Sequence, residues 1–408
     1  MRIVVTGASG FVGQSLVPLL AEAGAELLLV GRDPARIGQA FPALPACGYD
    51  ELARRGAGFD ILVHLAVANN DKSLPLDAFR AVNVDLALET AESARRAGIR
   101  RFINVSSVHA LQPNDGAYAR TKREAAERLS GIGGLEVVTV YLPAVHSGRW
   151  SGKLGMLNSL PAPLARALFG LLSALKPTVH VARLAEFIRG NGDPAHDPEI
   201  ILSDGQDRNF VYRTVTRLID IAFAVGVVVF LWWALALIWA LIRLQSPGPG
   251  IFAQQRVGRD GRVFTCYKFR TMKQGTQQAA TNLVSADAVT GVGSFLRRTK
   301  LDELPQIWNM LRNEVSLIGP RPCLPVQVEL IEERRKRGVL KLKPGLSGLA
   351  QVKGIDMSEP VTLARWDARY CALQSLLLDL RIVLATAATT AIAIATGRGH
   401  DDRVAKSG

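Results

Sequence analysis

No charged residue occurs between Ile221 and Ile242. As a helix that run spans about 33 Å, enough to cross the hydrocarbon core of a bilayer. It limits the architecture more than any other feature, because the rest must fold as soluble units attached to a membrane element. Arg208, Arg213 and Arg217 precede it, and Arg243, Arg256, Arg259 and Arg262 follow. Hydropathy alone reads a simple transmembrane helix; positive charge marks the cytoplasmic side of membrane segments, so the flanks instead predict a re-entrant helix with both ends on one face. The expected divisions are 1–205, a linker 206–216, the helix 217–243 and a second soluble part 244–408.

A length of 408 residues permits two domains with separate cores. The net charge of +13 suits an anionic membrane face, phosphorylated substrates or nucleic acid. The basic residues are scattered and no motif joins them to aromatics, so no nucleic-acid partner is expected. Cys47, Cys266, Cys323 and Cys371 lie far apart without metal or redox spacing, and read as reduced thiols of a cytosolic setting. The chain opens on a strand-like "RIVVTG", so no signal peptide is expected.

Up to about residue 205, β-rich runs alternate with apolar-periodic helices. Predicted strands are Arg2–Thr6, Glu26–Val30, Asp60–Leu65, Arg101–Val105 and Glu136–Tyr141, with helices at Val12–Glu22, Val84–Arg96 and Tyr118–Leu129. Such alternation implies βαβ units and an α/β fold around a parallel sheet. "TGASGFVG" sets Gly7, Gly10 and Gly13 between the first strand and its helix. Glycine there lets the backbone approach a pyrophosphate held at the helix N-terminus, although any tight strand–helix turn also uses it. Arg32 follows the second strand, where an acid would take a ribose 2′-hydroxyl. An arginine suits a 2′-phosphate and favours NADP over NAD; the plainer reading is an exposed loop residue. Ser106 and Ser107 close a strand, while Tyr118 and Lys122 share a helix face at i and i+4. The ammonium can lower the phenol pKa and make the tyrosine a usable acid or base.

Glycine-rich turn, strand-end serine and Tyr-x-x-x-Lys, in that order, resemble the extended short-chain dehydrogenase/reductase family of nucleotide-sugar epimerases, dehydratases and reductases. The resemblance covers roughly residues 1–205 and implies a Rossmann-like sheet with an NAD(P) cofactor. By it, Ser107 orients a carbonyl or hydroxyl, Tyr118 transfers the proton, and Lys122 binds ribose and assists Tyr118. The interval from Ser107 to Tyr118 is short for that family. The region after Tyr141, with "LPAVHSGRWSG" and "TVHVARLAEFI", is compressed. An active reductase or epimerase and a non-catalytic nucleotide-binding module both stay open.

Behind the apolar run come "SPGPGIFAQQRVG", "YKFRTM", "LRRTKLDELPQIWNML", "GPRP" and "KPGLSGLAQVKG". Pro305 is best tolerated in a first helical turn, which predicts a helix starting near Asp302, its carboxylate stabilised by free N–H groups. Adjacent side chains on a helix diverge by about 100°, so Asp302 and Glu303 take different roles. Pro320 and Pro322 stiffen Arg321, whose planar fork suits phosphate oxygens. The Ala/Thr-biased Leu384–Gly397 predicts a surface-hugging helix.

From about Arg217 to Asp379 this series resembles the bacterial sugar transferases, the monotopic phosphoglycosyl transferase family. The resemblance implies a small, mainly helical α+β catalytic domain. Such a domain moves a phospho-sugar from a UDP-sugar to undecaprenyl phosphate with Mg2+, releases UMP and starts a surface glycan such as O-antigen or exopolysaccharide. It makes Asp302 the nucleophile and Glu303 its partner, both candidates for the metal, with Lys268, Arg297 and Arg321 on phosphate. It also places the chain at the bacterial inner membrane against anionic lipid, both soluble domains in the cytoplasm, with a homo-oligomer left open. The family breaks its membrane helix with Ser-Pro, where this chain has Trp232-Trp233, and Ile355 replaces an expected basic residue. A membrane-tethered NADP-dependent sugar-nucleotide reductase with an inert rear domain is the remaining alternative.

Overall fold

The computed structural model describes residues 1–68, 75–112, 116–148, 150, 152–190, 199–275 and 288–396. The chain divides into two compact units, Met1–Ser173 with Pro177–Gly205, and Ala174–Lys176 with Gln206–Gly408. Strands of the front unit are β1 (Arg2–Thr6), β2 (Glu26–Val30), β3 (Ala46–Cys47), β4 (Ile61–His64), β5 (Arg101–Ser107), β6 (Glu136–Leu142), β7 (Ala144–His146), β8 (Thr178–His180) and β9 (Ile200–Ile201). One parallel sheet runs β3-β2-β1-β4-β5-β6-β9, and β7 pairs with β8.

Alternation along the strands serves both faces. Ile3 and Val5 pack with Leu16, Val17 and Leu20 of helix Phe11–Glu22 and with Leu184 and Ile188 of helix Val181–Arg189. Val4 and Leu62 face the other way, against Ala87, Ala91 and Ala94 of helix Leu86–Arg96 and Leu129 of helix Ala117–Ser130. Covered on both sides, the central strands read as continuous apolar runs. Strand order reverses between β1 and β4, which opens a crevice at their carboxyl ends. The helix expected from Val84 begins earlier: Leu76–Arg80, a π turn at Ala81–Asp85 and Leu86–Arg96 follow one another without a break.

The rear unit is built on an antiparallel hairpin of β10 (Ile251–Val257) and β11 (Val263–Phe269). Beside it lies a short parallel pair, β12 (Ser316–Ile318) and β13 (Gly345–Ser347). The apolar segment forms one helix of 36 residues, Phe210–Gln245, so the second half of the expected linker is helical. The expected turn back inside this segment is absent. The helix contains no proline, and Trp232-Trp233 continue the hydrogen-bond ladder where Ser-Pro would interrupt it.

A narrow stripe of that helix packs on its own unit. Arg217 donates to the Met310 and Leu311 carbonyls at 2.7 and 3.0 Å, and Asp220 accepts from Leu317 N at 2.8 Å. Ala224 and Val227 meet Ile307 and Met310, and Ile242 meets Phe269 and Leu296. Arg270 then caps the far end through the Ser246 and Pro247 carbonyls at 2.7 and 2.6 Å. Leu376–Thr396 is a second helix long and apolar enough to cross a membrane. Gly397, the last residue of the expected surface helix, lies outside the described residues.

Candidate active site

The hairpin register builds one wall of the rear site. Gln254 opposes Cys266, Arg256 opposes Phe264, and Phe252 opposes Lys268, so Gln254, Arg256, Cys266 and Lys268 project from one face. The dyad stands against that face, in a setting other than the one expected. Helix Gly291–Thr299 ends at Lys300 in the left-handed region (φ 57°), and Leu301–Gln306 forms a 3-10 turn that contains Pro305. The α-helix starts only at Ile307, so Asp302 is not its N-terminal cap. Side chains diverge by about 120° in a 3-10 turn, which still separates the two acids. Asn309 fixes the turn against β11: its Oδ1 accepts from Tyr267 N at 3.2 Å and its Nδ2 donates to Thr265 O at 2.7 Å.

Glu303 is buried, and its Oε1 accepts from Lys268 Nζ at 2.6 Å and Arg321 Nη2 at 2.9 Å. Burial alone would raise its pKa, but Arg321 and Lys268 outweigh burial and hold the carboxyl well below the usual range. Asp302 has no hydrogen-bond or ion-pair partner among the described residues. Burial first, and repulsion from Glu303 second, push its pKa up to about 6. Environment therefore divides the pair into a permanently ionised anchor and a free carboxylate near its titration point.

Arg321 sits on a stretch whose four consecutive carbonyls are all held. Gly345 N bonds Pro320 O at 3.0 Å, Arg334 Nη1 bonds Arg321 O at 2.9 Å, Arg256 Nη1 bonds Pro322 O at 3.0 Å, and Val257 N bonds Cys323 O at 2.9 Å. Arg334 is itself buried on Asp367, with bonds of 2.9 and 2.7 Å to Oδ2. An open pocket of about 220 Å³ between hairpin and dyad is lined by Arg256, Cys266, Lys268, Glu303, Gln306, Arg321, Pro322 and Gly345. Arg297 donates to Thr271 Oγ1 at 3.0 Å and stabilises the Asp302 anion from further away.

Sequence reasoning passed over two cations here. Arg256 stood inside the quoted "QQRVG" but its inward phase follows only from the strand register. Lys300 is identifiable only once its left-handed turn brings it to Asp302 and Glu303. Among the described residues no three of His, Cys, Asp or Glu converge as a metal cage. The donors at the dyad are two carboxylates, one already bonded to two cations, a set that fits a metal ion only if other ligands complete its shell.

In the front unit, Gly7 (φ +70°) turns β1 into its helix. A Cβ on it would lie 2.7 Å from Ala66 N, and one on Gly13 would lie 2.6 Å from the Gly7 carbonyl. Gly10 caps helix Phe11–Glu22 without any side-chain bond, so no side chain competes for the helix's first N–H groups. Those features fit a dinucleotide pyrophosphate at the β1–β4 crevice. Arg32 is exposed just past β2. Lys122 is buried, donates to Val105 O at 3.1 Å, and has its pKa lowered to about 8 by burial. Ser107 ends β5, where its Oγ lies 2.9 Å from His109 Nδ1, and the His109 ring meets Tyr118 edge-on at 6.5 Å. The structure thus adds His109 between two predicted site residues, from a position two past Ser107 that carried no motif of its own.

Residues 211–393 match the family of bacterial sugar transferases, and residues 3–129 match the NAD dependent epimerase/dehydratase family. Over 187 residues the chain is 32% identical to the exopolysaccharide production protein ExoY of Sinorhizobium fredii, spanning 42% of this chain and 82% of that protein. The chain belongs to the bacterial sugar transferase family. A second bacterial sugar transferase relative is the UDP-glucose:undecaprenyl-phosphate glucose-1-phosphate transferase of Xanthomonas campestris, 37% identical over 45% of this chain. The chain spans 40% of that protein and 34% of the galactosyl transferase CpsE of Streptococcus agalactiae. Among solved structures, the enzyme WbmG of Bordetella bronchiseptica in complex with NAD has 17% identity and a TM-score of 0.40, covering 50% of this chain and 72% of its own.

Proposed function

We propose that the rear unit transfers a phospho-sugar from a UDP-sugar to undecaprenyl phosphate at the cytoplasmic face of the bacterial inner membrane. The observation that carries this reading is the divided dyad: a free Asp302 carboxylate beside a Glu303 clamped by Lys268 and Arg321. An Asp302 oxygen attacks the sugar-bearing β-phosphorus. The bond from that phosphorus to the bridging oxygen breaks, and UMP leaves with the electron pair. An oxygen of undecaprenyl phosphate then attacks the same phosphorus and frees Asp302, leaving the phospho-sugar on the lipid. Arg256, Lys268, Lys300 and Arg321 offset the charge of diphosphate and nucleophile. Magnesium would supply further charge neutralisation on the diphosphate, and Asp302 would be the carboxylate available to hold it, since Glu303 is engaged by Lys268 and Arg321.

A covalent carrier suits a soluble donor and a lipid acceptor that visit one interfacial site in turn. Both ends of helix Phe210–Gln245 are tied to the rear unit, which supports a membrane helix held along that unit. The front unit binds NAD(P), NADP by virtue of Arg32, and acts on the UDP-sugar before transfer. The nicotinamide supplies hydride chemistry when bound. Gly7, Gly10 and Gly13 hold the pyrophosphate, Lys122 holds ribose, and Ser107 and Tyr118 orient and protonate the sugar oxygen. Substituting Asp302→Asn should abolish UMP release from a panel of UDP-sugars in nanodiscs, by about a thousandfold or more. Wild-type turnover in that variant refutes the assignment.

A further inference from the structure

Helix Ala162–Leu175, which belongs to the front unit up to Ser173, carries four of its leucines outward. Leu164, Leu168, Leu171 and Leu172 are 49%, 37%, 45% and 37% exposed, whereas Ala165 and Ala174 are buried. At about 100° per residue these four leucines fall within one arc of roughly 100°. Met156, at 71% exposure, lies just before them in the chain. A contiguous apolar arc of this kind differs from scattered surface leucines and marks an interaction face.

Its electrostatic setting selects the partner. From Val137 to Val181 the chain has no Asp or Glu, while Arg166 on the helix and Lys176 just after it are cationic. An apolar stripe in a segment with only positive charge fits the interface of an anionic bilayer. The same chain carries helix Phe210–Gln245, whose apolar surface calls for lipid, so a bilayer is within reach of the front unit. We propose that Ala162–Leu175 is an interfacial helix, laid in the plane of an anionic membrane surface, that holds the front unit against the bilayer. This goes beyond the transferase reading, although it rests on the chain being membrane-bound. Its consequence is that product leaving the front unit is released next to the membrane, where the next acceptor lies.

The test uses the full chain in nanodiscs of phosphatidylglycerol and phosphatidylcholine, with Cys371→Ser and an environment-sensitive dye on Leu168→Cys or, as an exposed polar reference, Arg54→Cys. Brominated phosphatidylcholine should quench the Leu168 label about twofold and leave the Arg54 label unchanged, while aqueous iodide does the reverse. Adding Leu171→Glu should reduce lipid quenching at Leu168, as should phosphatidylcholine alone. Iodide quenching at Leu168 equal to that at Arg54 overturns the proposal, because the face is then in water. Protection from iodide without lipid quenching also overturns it, showing a protein partner such as a second copy. Lipid quenching that persists unchanged without phosphatidylglycerol removes the anionic part. A chain that fails to co-purify with nanodiscs at all instead refutes membrane attachment, which separates the two failures.

Discussion

The divided dyad predicts a particular pH profile for the first half-reaction. Asp302 titrates near 6 against an ordinary 3.8, a bias of about 3 kcal/mol towards the neutral acid at about 1.4 kcal/mol per pH unit. Only the carboxylate attacks phosphorus, so activity is present above that midpoint and lost as pH falls through it. The ionised fraction is about nine-tenths at pH 7 and about a tenth at pH 5, giving an expected loss of about tenfold. An aspartate with ordinary titration would lose less than about a tenth over the same span. The assay is the burst of UMP with donor alone. Omitting undecaprenyl phosphate matters, because a phosphate monoester itself titrates near pH 6. Glu303→Gln removes the second cause of the raised value and frees Lys268 and Arg321 to favour the Asp302 anion. Its midpoint should therefore move down, although burial keeps it above the ordinary value. A wild-type midpoint near 4, or a Glu303→Gln midpoint at or above the wild-type one, defeats the electrostatic account.

Three further outcomes follow, two of them from the packing. Asp367→Ala strands the buried Arg334 that holds the Arg321 carbonyl, and should cost about 3–5 kcal/mol of stability, read by chemical denaturation in detergent. Gly13→Val places a side chain against the Ala8 and Gly7 backbone and should remove NADPH binding, read by fluorescence titration, while the donor-dependent UMP burst persists. Arg32→Asp should reverse the preference between NADPH and NADH rather than abolish binding of both.

The front fold was legible because its information is local. Period-2 strands, intervening helices and the glycine turn identify the doubly wound sheet, and Tyr118 and Lys122 share a helix in the sequence as in the structure. Asp302, Glu303 and Arg321 were visible as chemistry, yet their local geometry was misread. Pro305 fits a first α-helical turn and a 3-10 turn alike, so its position alone does not separate the two. His109 and Arg334 had no motif to announce them, since each acts through partners remote in sequence or through a ring packed on another helix.

Taken alone, the amino-acid order determined an α/β front part, an uncharged run long enough to cross a bilayer, and a pair of acids beside potential phosphate ligands. Spacing and hydropathy are properties of neighbouring residues and need no coordinates. Tertiary structure alone decided which acid is clamped and which is left to react, because that depends on cations 35 and 18 residues away converging on one oxygen. It likewise decided that the apolar helix runs unbroken along its own unit and that the Ala162–Leu175 leucines face outward. Charge compensation and solvent exposure are set by what folding brings near, and neither is written in the order of residues.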